Sequence, residues 1–194
     1  MKKNLKTQFL TRQYMLSKDY ELYYYSDSHM ANVDSHTHDY YEFYFFLEGT
    51  VSYLIEKQLY DLKAGDVVVI PPGIHHKAVI HDSEKPYSRF VFWISIDYYQ
   101  RIRQMSEDYF YIIRLARDKG QYVFHNDAVA FSSIQSRIFH LIEEIHWDRF
   151  GKDEKIFIGI CDLFLHLSRM AYEKNHPRKL KEDQNLYENI IQYI

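Results

Sequence analysis

The stretch SHTHDYYEFYFFLEGT, residues 35–50, carries two histidines one residue apart and a glutamate four positions after the second. A run of aromatics follows, closed by Glu-Gly. In an extended strand, residues i and i+2 point the same way, so His36 and His38 share a face. Glu42 joins that face if the strand stays regular, and Tyr44 and Phe46 continue it. Two imidazoles and a carboxylate on one face make a set of the type that binds iron, and equally zinc or manganese. A further candidate, His76, follows the Pro71-Pro72-Gly73 corner, which places it at the start of another strand.

Around this stretch the first half of the chain reads as short strands. ELYYYSD (21–27) and YYEFYFFLEG (40–49) are β-prone and end in turn residues. TVSYLIEK and QLYDL form a hairpin pair with its turn near Lys57. AGDVVVIPPG (64–73), HKAVIH (76–81) and YSRFVFWISI (87–96) complete the series. About seven strands at close intervals, punctuated by Gly and Pro, predict an antiparallel barrel or sandwich. In the last strand Arg89 and Trp93 share a face. They offer a charged donor and a stacking surface, but alternation alone leaves open whether that face points inward or to solvent.

The second half has a different period. Residues 97–105 predict a short helix with Asp97 as N-cap. In residues 127–149, Ile134, Ile138, Leu141, Ile142 and Ile145 recur at spacings of three and four. Residues 153–174 repeat this with Ile156, Ile160, Leu163, Phe164 and Leu167. Each set is one apolar helix face. Gly151 separates them into an antiparallel hairpin, and Asn175-His176-Pro177 stops the second helix. The apolar stripes are available for packing on the barrel, on each other or on a second subunit. A third helical pattern, EDQNLYENIIQYI (182–194), closes the chain.

Composition narrows the function. The 194 residues carry a net charge of −3, and the best local basic cluster is the short group Arg178, Lys179 and Lys181. This makes the chain a poor candidate for direct nucleic-acid binding. The single cysteine, Cys161, excludes an internal disulfide and reads as a small buried hydrophobe. No secretory signal or run of about 18 apolar residues is present, which points to the cytoplasm and away from a membrane. Of the 19 tyrosines, most are expected on solvent-facing strand surface.

Two segments carry a family resemblance. HTHDYYEFYFFLEG fits His-x-His, three residues, Glu, six residues, Gly. GDVVVIPPGIHH fits Gly, five residues, Pro-x-Gly, two residues, His. They resemble the paired motifs of the cupin superfamily, a small jelly-roll β-barrel, and the resemblance implies His36, His38, Glu42 and His76 as metal ligands. Where the second motif often carries Asn, this chain has Ile80. That Asn is not a ligand, so the departure weakens only the match to the enzyme version.

The order of the remaining segments sharpens the likeness. With YSRFVFWIS and the helices after the barrel, the chain resembles the N-terminal sensor and dimerisation half of AraC/XylS-type transcription regulators. The resemblance implies a mainly β plus α fold, a cupin jelly-roll barrel followed by a two-helix antiparallel dimerisation element. Its parts would be an N-terminal arm (1–19), the barrel sensor (20–96), a helical dimerisation region (97–176), and a linker with the start of a truncated DNA-binding domain (177–194).

The implied function is sensing of a small polar effector, a sugar being the expected class, by a cytoplasmic homodimer. DNA would be contacted only through a missing C-terminal helix-turn-helix domain. The effector would lie against His36, His38, Glu42, Tyr44, His76, Arg89 and Trp93, with a divalent metal (Zn, Ni, Fe or Mn) as the possible cofactor. On this reading the chain is not an enzyme. The alternative is a metal-dependent cupin enzyme, an isomerase or dioxygenase, using the same four residues.

Overall fold

Residue alternation sorts the strands into two apolar layers. In the computed structural model, which describes residues 14–28 and 34–177, the chain runs β1 (Tyr20–Asp27), β2 (Tyr41–Glu48), β3 (Val51–Ile55), β4 (Gln58–Asp61), β5 (Val67–Ile70), β6 (His76–Ile80) and β7 (Tyr87–Ile94). Then come α1 (Ile96–Arg103), a 3-10 turn (Glu107–Phe110), α2 (Tyr111–Lys119), β8 (Val123–Phe124), α3 (Ala128–His146) and α4 (Lys152–Asn175). The strands form two antiparallel sheets, ordered β1-β7-β2-β5-β8 and β4-β3-β6.

The inner faces of the two sheets enclose a lumen containing Tyr44, Phe46, Tyr53, Ile55, Val68, Ile70, Val91 and Trp93. The outer face of the larger sheet presents Tyr41, Phe43, Phe45, Val67, Val69, Phe90, Phe92 and Ile94 to the helices. Hence β2, β5 and β7 are buried on both sides. Phe164 of α4 packs on Phe43 and Phe92, with ring centroids 4.8 and 5.5 Å apart. Two-sided burial of this kind contributes about 25 cal/mol per Å² of apolar surface, and it locks the register, since a one-residue slip would exchange the two faces.

The β3–β4 hairpin turns at Glu56-Lys57, as its sequence predicts, with Glu56 at φ 53°. Gly151, at φ 69°, opens α4, and His176 caps its end. Gly159 lets α3 and α4 approach closely, because a Cβ there would sit 2.8 Å from Leu141 Cδ2. Ser168 of α4 donates to the Tyr109 carbonyl at 2.8 Å and accepts the Ile112 N–H at 3.3 Å, which ties α4 to the start of α2.

Several expectations are corrected. The first helix is capped by Ser95, whose hydroxyl accepts the Tyr98 N–H, and Asp97 lies inside it. The region read as helical contains a further helix, α2, and also a strand, β8, which extends the large sheet by pairing with β5. Its two residues are too few for a periodicity to show. The tyrosines are not mainly surface residues: Tyr25, Tyr40, Tyr41, Tyr44, Tyr53, Tyr87, Tyr98 and Tyr99 are buried, because lumen and helical layer both take large flat side chains. Cys161 is buried, as expected. The helical pattern at 182–194 and the basic cluster at 178–181 lie outside the described residues, as does the arm up to residue 13. Among the described residues no helix is long and apolar enough to cross a membrane.

The stripes of α3 and α4 face inward. Leu141 and Leu163 belong to the core shared with the sheet, so these two residues are not a seam between subunits. Leu163→Ala and Leu141→Ala should each cost about 2–5 kcal/mol, read as a lower urea midpoint with an unchanged m-value.

Candidate metal centre

Backbone pairing brings the two motif segments together. His36 and His76 exchange N–H···O bonds of 3.1 and 3.0 Å, and the Gly73 N–H donates to the His38 carbonyl at 2.9 Å. Gly73 takes φ 81° at the corner, a conformation that favours glycine. Glu42 stands in the middle of the large sheet, opposite Ile70 on one side and Trp93 on the other. His38, on the irregular approach to β2, and His76, the first residue of β6, both reach Glu42 within the lumen.

The orientation of each imidazole follows from its backbone partner. His38 Nδ1 lies 2.8 Å from the Tyr40 carbonyl, and His76 Nδ1 lies 2.9 Å from the Ile74 carbonyl. A carbonyl only accepts, so each Nδ1 carries the proton and each Nε2 presents a lone pair. Those Nε2 atoms stand 3.7 Å (His38) and 3.9 Å (His76) from the two oxygens of Glu42. Both are buried and have no hydrogen-bond partner among the described residues.

The ring planes are also held. Tyr40 stacks on His38 at 4.0 Å and 6°, and Tyr53 lies parallel to His76 at 6.0 Å and 13°. Glu42 accepts from the Trp93 indole N–H at 2.6 Å on one oxygen and from the Tyr53 hydroxyl at 3.2 Å on the other.

Burial sets the charge state. It pushes the His38 imidazole down to about 4, against the upward pull of Glu42, and it lowers His76 in the same way. Burial opposes ionisation of Glu42, but His76, His38 and the Trp93 N–H outweigh it and hold the carboxyl below its usual range. With protonated imidazoles the 3.7 and 3.9 Å separations would be ion pairs. At neutral pH they are instead lone pairs facing lone pairs around one negative charge.

A cation resolves that arrangement. The donor atoms of His38, Glu42 and His76 lie within 4.8 Å of one another. Around a divalent ion with bonds of roughly 2.0–2.2 Å, tetrahedral donors stand about 3.4 Å apart. The observed 3.7 and 3.9 Å separations therefore need only a small closure. The residues present fit a divalent metal.

His36 lies at the edge of this set. Its ring is 4.5 Å from that of His76, nearer than the 4.9 Å between the rings of His38 and His76, and 6.4 Å from that of His38. It is half-buried, its Nδ1 bonds the Asp34 carbonyl at 3.0 Å, and it is not one of the three residues whose donor atoms converge within 4.8 Å. It precedes the regular strand, which begins at Tyr41. Tyr44 occupies the next inward position after Glu42 and donates its hydroxyl to Tyr87.

Arg89 and Trp93 both face inward. Arg89 bonds Asp27 at 2.8 Å and the Tyr87 carbonyl at 3.0 Å, with its guanidinium 4.0 Å from the Tyr87 ring centroid. Sequence reading did not single out Tyr40, Tyr53 and Tyr87. Tyr87 shares the parity of Arg89 and Trp93, which was a usable signal. Nothing local announces that Tyr53 meets His76, because that contact depends on the pairing of β3 with β6.

Comparison with known proteins agrees with this architecture. Residues 29–94 match the family model described as "Cupin domain". No curated protein matches the chain. Among solved structures it is similar to a Cupin 2 conserved barrel domain protein from Salinispora arenicola CNS-205, at 20% identity and TM-score 0.37, covering 45% of this chain and 73% of that one. It is similar to a DMSP lyase from Ruegeria pomeroyi DSS-3 at 27% identity and TM-score 0.36, covering 41% and 40%. It is also similar to a salicylate 1,2-dioxygenase from Pseudoaminobacter salicylatoxidans at 17% identity and TM-score 0.37, covering 44% and 25%.

The expectation that this chain is not an enzyme is corrected here. This chain holds a buried His38–Glu42–His76 cluster, the donor set that the metal-dependent enzyme alternative requires. The jelly-roll expectation stands: the chain forms two antiparallel sheets with a helical layer, and the strands β2–β7 lie within the residues that match the cupin domain model.

Proposed function

We propose that the barrel is a metal-dependent binding site for a small, oxygen-rich polar molecule, with sugars as the leading class. We further propose that the chain is the sensing and dimerisation part of a regulator resembling the AraC/XylS type. The observation that carries the binding site is the pair of buried, unpartnered Nε2 atoms facing Glu42. The regulator reading rests on the order of barrel and helices in the sequence and on the core they share.

His38, His76 and Glu42 would hold the ion, and a bound divalent ion supplies Lewis acidity toward the ligand's oxygens. Tyr44, Tyr87 and Arg89 line the lumen further along β2 and β7, where their polar atoms orient the ligand. Ligand shifts the arrangement of the protein only by its difference in affinity between two states. The same donor set is also suited to chemistry on a bound oxygen ligand, as in the alternative isomerase or dioxygenase reading, so binding and turnover are measured together.

Protein prepared without a histidine tag should contain close to one divalent ion per chain by elemental analysis. His38→Ala, His76→Ala and Glu42→Ala should lose it, while His36→Ala should retain it. Sugars should then raise the melting temperature of the loaded protein alone. Absence of metal from protein reconstituted with Zn, Ni, Fe and Mn would sink the proposal, and turnover of a screened substrate would assign the centre to an enzyme.

Acid should destabilise the metal-free protein. The unfolded chain protonates His38 near 6.5, whereas the folded chain resists until about 4. Stability is therefore complete above 6.5 and declines as pH falls toward 4, by roughly 3 kcal/mol from this residue. His76 acts in the same direction. Urea unfolding of chelator-treated protein should show this decline, and it should be smaller in His38→Gln.

Two copies would pair through the outward face of α4, where Ile158, Leu165 and Tyr172 recur every seven residues. Ile158 and Tyr172 are exposed. Antiparallel pairing centred on Leu165 would set Ile158 against Tyr172 of the second copy and Asp162 near its Arg169, a self-complementary seam. Light scattering should give a dimer mass for the parent and a monomer for Ile158→Asp.

A further inference from the structure

We propose that Trp93 and Tyr53 are positioning residues of the metal centre, holding the Glu42 carboxylate in the one orientation that serves both imidazoles. The inference rests on the metal-binding reading above and extends it to groups that never touch the ion.

A carboxylate offers about four lone-pair sites. On Glu42 the Trp93 N–H takes one of them on Oε2, at 2.6 Å, and the Tyr53 hydroxyl takes one on Oε1, at 3.2 Å. His38 faces Oε2 and His76 faces Oε1. Each oxygen thus has one protein donor and one imidazole opposite it. Rotation of the carboxylate about its last bond would break two hydrogen bonds inside a buried lumen.

The two donors are themselves immobile. Trp93 is wedged between Tyr40 and Tyr23, at centroid distances of 4.9 and 5.8 Å, and lies opposite Glu42 in the β2–β7 register. Indole N–H has no accepting role, so this contact has a single polarity. Tyr53 acts on two donors at once: its hydroxyl holds Glu42, and its ring lies parallel to His76. Outer-sphere partners of this kind typically set about 10–100-fold in metal affinity.

The chain's two tryptophans, Trp93 and Trp147, make the test direct. Trp147 is exposed on the α3–α4 loop and is absent from the lumen cluster. In a Trp147→Phe parent, Trp93 is the sole indole and sits against a ligand oxygen. Co²⁺ alone is titrated into the metal-free parent, with indole emission and cobalt d–d absorption recorded together. The parent should saturate at one ion per chain with quenched emission.

Tyr53→Phe removes one hydroxyl and keeps the ring, so the metal-free protein should keep a single cooperative melting transition, lowered because the buried Glu42 carboxylate loses one donor. Its Co²⁺ affinity should fall about 10-fold or more, with a shifted d–d band. Trp93→Phe, followed by absorption, should fall further. A parent that binds no Co²⁺ overturns the metal reading itself. A parent and a Tyr53→Phe variant that bind with equal affinity and identical spectra overturn the positioning role alone.

Discussion

Burial of β2 and β7 on both faces is the constraint from which the rest of the structure follows. The inner residues of these strands build the lumen, and the outer residues build the layer under the helices. An ionised glutamate in the middle of such a strand is shielded from bulk solvent. Its position is tolerable because Trp93 and Tyr53 donate to its two oxygens, while the two imidazoles turn only lone pairs toward it. Packing and chemistry are therefore specified by the same alternation, one residue out of phase.

The helical layer meets a second constraint. A sheet with an apolar outer face requires a cover, and α3 and α4 supply it with Ile134, Ile138, Leu141, Ile156, Ile160, Leu163 and Phe164. Those are the residues that a helix-period reading marks as one face. The periodicity identified the stripe, while the identity of its partner became visible only with the sheet in place. The outward ridge of Ile158, Leu165 and Tyr172 is sparser, and an inward stripe twice as dense conceals it in the sequence.

Legibility followed the range of the interaction. The hairpin at Glu56-Lys57, the Gly73 corner and the stop at His176 are local and could be read directly. The grouping of His38, Glu42 and His76 was legible because the spacing of the two motifs encodes it. His36 precedes the regular strand and reaches the group through its backbone bridge with His76, which alternation along β2 does not convey. The inward direction of Arg89 and Trp93 was undecidable until β7 was seen paired with β1 on one side and β2 on the other. Tyr53 illustrates the limit: its contact with His76 needs a register between strands 20 or more residues apart, which no local signal carries.

Phe164 gives the two-faced sheet a further meaning. Phe43 follows Glu42 and Phe92 precedes Trp93, and both rings rest on Phe164. The backbone that would close on an ion is thus the backbone against which α4 leans. If two copies pair along α4, thermodynamic reciprocity makes the partner an effector of the lumen as much as the lumen is an effector of the partner. Whatever factor occupancy adds to self-association, dilution to the monomer must subtract from affinity in the barrel.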